Sequence, residues 1–200
     1  NTNAATKITV NNVSVVNSSV KDMNAAAIIG YARVTADVAP TCEISNIVTA
    51  NNTINCLAGG PGGRHGVIFG YYSFYNGATT TKLSNMILAD SYQFVSNSQN
   101  LGNTSTYKNV SFKNIYTAFG KPENATYAYT GVTFNVDAGA LTGATAMTTA
   151  SALAWGKDFV AVTDALPDLA VFHNMNAVSD EEAGHHYTCE DDDCAVINSE

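Results

Sequence analysis

NTNAATKITVNNVSVVNSSV, residues Asn1 to Val20, is the stretch on which the fold assignment turns. Ile8, Val10, Val13, Val15, Val16 and Val20 stand among Thr, Ser and Asn, which is strand composition. By period two, Ile8 and Val10 share one face while Val13 and Val15 fall on the other. The phase slips at Asn11-Asn12, which predicts a bulge there or two short adjoining strands. A lone strand is unstable in water and must pair. Two partners are open: the chain's own sheet, as the first strand of a sandwich, or the sheet of a neighbouring subunit.

The 200 residues allow one large all-β domain or two small ones, with a core that needs no staples. Hydrophobic residues make up 46%, too many for a disordered chain. Only 13% are charged, roughly half the usual share of about 25%. Polarity comes instead from 22 Asn, 22 Thr and 14 Ser. Such a neutral, hydrogen-bonding surface predicts a secreted or cell-surface protein. The start without Met or signal peptide reads as a mature form after cleavage.

The net charge of -8 is local. Eight of the 17 acidic residues lie between Asp180 and Glu200, and no Lys or Arg follows Lys157. Residues 1–179 are therefore neutral overall. With no basic stripe, nucleic acid is not an expected partner. No apolar run is long enough to span a bilayer, and the acidic tail disfavours anionic lipid.

Along the chain, short β-rich stretches recur at roughly ten-residue spacings with turn residues between them. They run over 28–38, 44–48, 67–75, 86–95, 107–119, 126–136, 158–163 and 169–172. Asn51-Asn52, the glycine-rich 57–66, Asn76-Gly77 and Gly120–Asn124 are the expected turns. Residues 138–154 suit a helix by their Ala, Leu and Met but carry helix-weakening Thr and Ser. The pattern predicts an all-β chain built as a β-sandwich, Ig-like or jelly-roll. No internal repeat is apparent. The expected divisions are an N-terminal β arm over 1–20, the sandwich over 21–179 and an acidic tail over 180–200.

Catalytic motifs are missing. Residues 57–66 lack the Lys-Ser/Thr ending of a phosphate loop. There is no Gly-X-Ser-X-Gly elbow or His-Glu-X-X-His. Glu43, Asp90, Glu123, Asp137 and Asp158 are too scattered to name a glycosidase pair, and His65 and His173 are single. The reading is a protein that is not an enzyme and holds no cofactor or metal. The tail does gather His185, His186, Glu190, Asp191, Asp192 and Asp193, but in no ordered ligand spacing. Tyr71, Tyr72, Tyr127, Tyr129 and Trp155 could form a sugar-stacking platform, though aromatics in strands are usually core.

Four cysteines, Cys42, Cys56, Cys189 and Cys194, form an even set that predicts disulfides in an exported chain. The local pairings Cys42–Cys56 and Cys189–Cys194 are favoured among three. Asn12, Asn17, Asn51, Asn103, Asn109 and Asn124 each begin an Asn-X-Ser/Thr acceptor for N-linked glycans, a modest excess over chance. Glycans would keep a low-charge surface soluble.

These features together resemble the archaeal extracellular filament subunits, the thread filaments of Sulfolobus-like cells and the related bundling pili. The resemblance lies in the early β arm, the Thr/Asn/Ser/Ala/Val-rich body, the acceptor asparagines and the few charges. It implies a structural subunit that polymerises head to tail with identical copies for adhesion, cell–cell contact or biofilm. The N-terminal donor strand would complete the sheet of the next subunit. Ile8, Val10, Val13 and Val15 would be its plugs, worth about 6–12 kcal/mol of apolar burial before ordering costs. The alternative is a secreted, monomeric carbohydrate-binding sandwich.

Overall fold

The computed structural model describes residues 7–34, 41–57, 64–74, 80–95, 109–122, 129–136, 159–160, 168–169, 175–180 and 184–189. Among them there are strands and turns and no helix. The described part of the chain is all-β, as the composition predicts.

The pairing is not that of a sandwich. Strands β1 (Lys7–Val16), β5 (Thr41–Ala50), β9 (Thr80–Leu88), β10 (Val110–Thr117) and β11 (Val132–Thr133) form one sheet in that order. Every neighbouring pair in it is parallel. Between β1 and β5 the chain makes β2 (Ser19–Asp22), β3 (Asn24–Ala26) and β4 (Ile29–Val34). After β5 it repeats the circuit as β6 (Thr53–Cys56), β7 (Arg64–Gly66) and β8 (Phe69–Phe74). Each lies parallel on its counterpart: β2 on β6, β3 on β7, β4 on β8. A third circuit continues on the second, where Val67 and Ile68 donate to the carbonyls of Gln93 and Phe94. The architecture is a parallel β-solenoid whose coils stack like turns of a spring.

This corrects the expected sandwich, for a readable reason. Short strands with turns between them describe a coil wall as well as a sandwich sheet. Only the partner of each strand distinguishes the two, and that partner is one full circuit away, not next along the chain.

The phase slip at Asn11-Asn12 is a bulge-like kink. Asn12 has φ 58, and Asn46, Asn85 and Asn114 have φ 56, 53 and 52. Left-handed backbone is costly for most side chains and cheapest for Gly and Asn. One such residue in a strand resets the alternation, so apolar residues on both sides of it point inward. Ile8, Val10, Val13 and Val15 thus lie on one interior face, not on two. In β5 the matching residues are Cys42, Ile44, Ile47 and Thr49; in β9, Thr81, Leu83, Met86 and Leu88; in β10, Val110, Phe112, Ile115 and Thr117. All twelve of these are buried. The chain therefore does contain an internal repeat: interior, outer, interior, outer, Asn, interior, outer, interior.

Phe94, Phe112, Phe119 and Tyr129 fill the later coils as an aromatic cluster. The rings of Phe94 and Phe119 meet edge to face at 5.0 Å, and those of Phe112 and Tyr129 also lie 5.0 Å apart. On the outer face, Val48 and Ile87 are buried too. There β13 (Asp168–Leu169), paired antiparallel with β12 (Phe159–Val160), lies against β1 and β5 with Leu169 buried. A second antiparallel hairpin, β14 (Met175–Asp180) with β15 (Gly184–Cys189), crosses the point where the acidic tail is expected to begin.

Candidate functional site

Two features of the first two coils stand out: the outer edge of β1 and the corner that follows it. β1 pairs within its own chain, residue for residue with β5, Lys7 opposite Thr41 through Val16 opposite Ala50. The expected donor segment is thus a rung of its own solenoid, the first among the described residues. Its other edge has no strand partner among the described residues. Ile8, Val10 and Val13 are only partly buried, although their counterparts in β5 are wholly buried. Among the described residues four large hydrophobic side chains are exposed; Val16, Met23 and Tyr31 belong to this first circuit and Leu57 adjoins it. Among the described residues the apolar interior is only partly covered at this end.

The kink asparagines run up to that end as a ladder. Asn114 Nδ2 donates to Asn85 Oδ1 at 3.3 Å, Asn85 Nδ2 to Asn46 Oδ1 at 3.2 Å, and Asn46 Nδ2 to Asn12 Oδ1 at 3.0 Å. All donors point toward the first coil, so Asn12 Nδ2 is the ladder's last donor among the described residues. At the far end Gly131, φ 89, takes the next position. A Cβ there would meet the Phe112 carbonyl oxygen at 2.6 Å, so the turn continues without an amide.

At the corner, Asn17 and Asn51 have φ 53 and 55. Beside them Asn52 is a buried clamp. Its backbone N–H donates to Asp90 Oδ1 at 2.8 Å and its Nδ2 to Asp90 Oδ2 at 2.9 Å. Nδ2 also donates to the Val15 carbonyl at 2.7 Å, while Oδ1 accepts from the Ser18 N–H at 3.0 Å. Three successive coils are tied through one amide, and Asp90, a candidate carboxylate by sequence, is used up in the tie.

Glu43 sits at the surface between Lys7 Nζ at 2.7 Å and Lys82 Nζ at 3.1 Å. Their hydrogen bonds, Lys7 first, hold its carboxyl below the usual glutamate range. The Cys42–Cys56 bridge expected from the sequence is not formed. Cys42 is a free thiol wholly buried in the solenoid interior, and burial, with the adjacent Glu43 charge, pushes it up to about 11. Cys56 lies beyond the next corner, its Sγ 3.2 Å from the Met23 carbonyl oxygen. The reason is the inward alternation of β5, which points Cys42 into the core.

Of the acceptor asparagines, Asn17, Asn51 and Asn109 are exposed and Asn12 is half-buried in the ladder. Asn103 and Asn124 lie outside the described residues, as do Cys194, Tyr127, Trp155, His173, Glu123, Asp137, Asp158 and residues 190–193. So does 138–154, the stretch that suits a helix. His185, His186 and Cys189 fall in β15. Of the sugar-platform candidates, Tyr129 is core. Tyr71 stacks at 5.0 Å and 10° on Tyr31, which is 51% exposed. His65 meets Tyr92 edge-on, and the Tyr92 hydroxyl accepts from the Ile54 N–H at 3.0 Å.

Among the described residues no group of three or more His, Cys, Asp or Glu is placed to hold a metal ion, and no helix is long and apolar enough to cross a membrane. Sequence reasoning missed Asn46, Asn85, Asn114 and Tyr31. The signal for the asparagines was the recurring Ser/Asn/Lys-Asn between inward apolar pairs. No family model, curated protein or solved structure matches the chain.

Proposed function

We propose that the chain is a structural subunit of an extracellular filament in which identical copies meet head to tail, coil upon coil, at the edge of β1. The reading rests on one observation above the others: a coil whose apolar side chains are only partly buried and whose β1 edge has no strand partner among the described residues. Such edges are templates for pairing with another chain, and solenoids need their terminal coils covered. The best-matched cover for a coil is another coil of the same pattern, because that interface already exists between β1 and β5. A head-to-tail contact that does not close extends into a filament. The low charge and the abundance of Asn, Thr and Ser support an extracellular setting. Relative to a strand donated in trans, this mode keeps β1 in its own fold and adds partners by edge pairing.

The test is electron microscopy and sedimentation of the full chain beside Val10→Lys and Val13→Lys, which place inward-pointing charges on the edge. Filaments or concentration-dependent oligomers from the parent chain, and monomers with unchanged circular dichroism from the variants, are expected. A parent chain that stays monomeric at high concentration overturns the proposal.

The stacked, exposed Tyr31 favours a second reading, a secreted carbohydrate-binding module. It predicts glycan binding that Tyr31→Ala abolishes and that the edge variants leave alone.

A further inference from the structure

The corner after the first sheet carries two glycan acceptors that the fold brings face to face. Asn17-Ser18-Ser19 and Asn51-Asn52-Thr53 are far apart in sequence, yet the register aligns them. Val16 is opposite Ala50 on one side, and Ser19 is opposite Thr53 on the other. Asn17 and Asn51 therefore occupy the same corner position on adjacent coils, about 4.8 Å apart by the spacing of paired strands. Both are exposed, as are Ser19 and Thr53. Both have left-handed backbone, and neither side chain makes a hydrogen bond among the described residues. Asn12 differs, being half-buried with its Oδ1 engaged by Asn46.

We infer that this corner is one N-glycosylation site built from two acceptors, holding a single glycan on Asn17 or on Asn51. The inference rests on the extracellular part of the proposed function and not on assembly. In the transfer, a bond forms between Asn Nδ2 and the anomeric carbon of the sugar. The bond from that carbon to the pyrophosphate of a polyprenyl-linked oligosaccharide breaks, and the amide proton leaves with the departing pyrophosphate. The acceptor hydroxyl of Ser19 or Thr53 stands two residues on in each case. A hexosamine with its substituents is wider than the strand spacing, so a glycan on one coil covers the acceptor on the next.

The experiment is secretion of the full chain from a eukaryotic host behind a cleavable leader, which imposes export. Ser14→Ala is included throughout to remove Asn12 from the readout. Occupancy is read by intact mass and glycopeptide mapping of the folded product. The expected result is that secreted chains carry a glycan at Asn17 or Asn51 and never at both. Thr53→Ala raises occupancy at Asn17, and Ser19→Ala raises it at Asn51. Chains glycosylated at both positions, or at neither in both single variants, overturn the inference. Sedimentation of unglycosylated protein from a bacterial host reads assembly separately, so failure of the filament reading leaves this result standing.

Discussion

Asn46 donates its side-chain amide to Asn12 across 3.0 Å, although the two are 34 residues apart. The same contact recurs between Asn85 and Asn46 at a separation of 39 and between Asn114 and Asn85 at 29. Each asparagine supplies both a left-handed backbone and a rung-to-rung hydrogen bond.

Asn46 shows both contributions. Asn46→Ala loses two ladder hydrogen bonds, each worth about 0.5–1.5 kcal/mol. It also forces alanine into left-handed backbone at a cost of about 1–2 kcal/mol. Asn46→Gly keeps the turn, as Gly131 does, and is the milder change by about 1 kcal/mol. Urea unfolding of the two variants checks the order. An alanine variant as stable as the glycine variant would remove the backbone half of the argument.

The Asp90 carboxylate bears on stability through Asn52. Asp90→Ala leaves a buried N–H and a buried amide proton unanswered, at about 2–4 kcal/mol. Asp90→Asn keeps one acceptor oxygen and costs less. Thermal melts of both variants measure the difference, and equal losses would mean that the clamp geometry is irrelevant.

Phe94→Ala opens a void at the centre of the aromatic cluster, and the expected loss is about 3–5 kcal/mol. Phe94→Leu recovers most of it. Denaturant midpoints report the values; a loss below about 1 kcal/mol would indicate a cluster that repacks.

Cys42 makes stability depend on alkaline pH. Its thiol is pushed from 9.0 up to about 11 in the fold, so the folded chain binds more protons than the unfolded chain between those values. Its contribution is complete below the lower value and is lost as pH rises through the upper one. Cys42→Ser flattens that decline in a melt series above pH 9. In the native chain at neutral pH, Cys42 resists iodoacetamide and reacts once urea is added; prompt alkylation without urea contradicts its burial.

Glu43 acts at the acid end with the opposite sign. The two lysines lower its pKa. Its contribution is present above the ordinary glutamate range and is lost as pH falls through the lowered value. The pair is at the surface and screened, so the effect is small. Glu43→Gln makes the melting temperature less sensitive to acid and to salt than the parent chain's, and identical salt dependence would exclude the ion pairs as contributors.

The residues by themselves determined that the described part of this chain is built of strands, that its polarity is largely uncharged, and that the apolar phase breaks at Asn11-Asn12. These are local properties, set by side-chain shape and by the two-residue period of extended backbone. The repeat around Asn12, Asn46, Asn85 and Asn114 was also written there, but separations of 34, 39 and 29 residues gave it no fixed period to find. Only the tertiary structure decided that the strands stack in parallel coils, that Cys42 points into the core away from Cys56, and that Asn17 shares a corner with Asn51. Each of these depends on which distant segment becomes a strand's neighbour. That choice is made by the summed burial and backbone pairing of whole coils, which no single stretch of the chain contains.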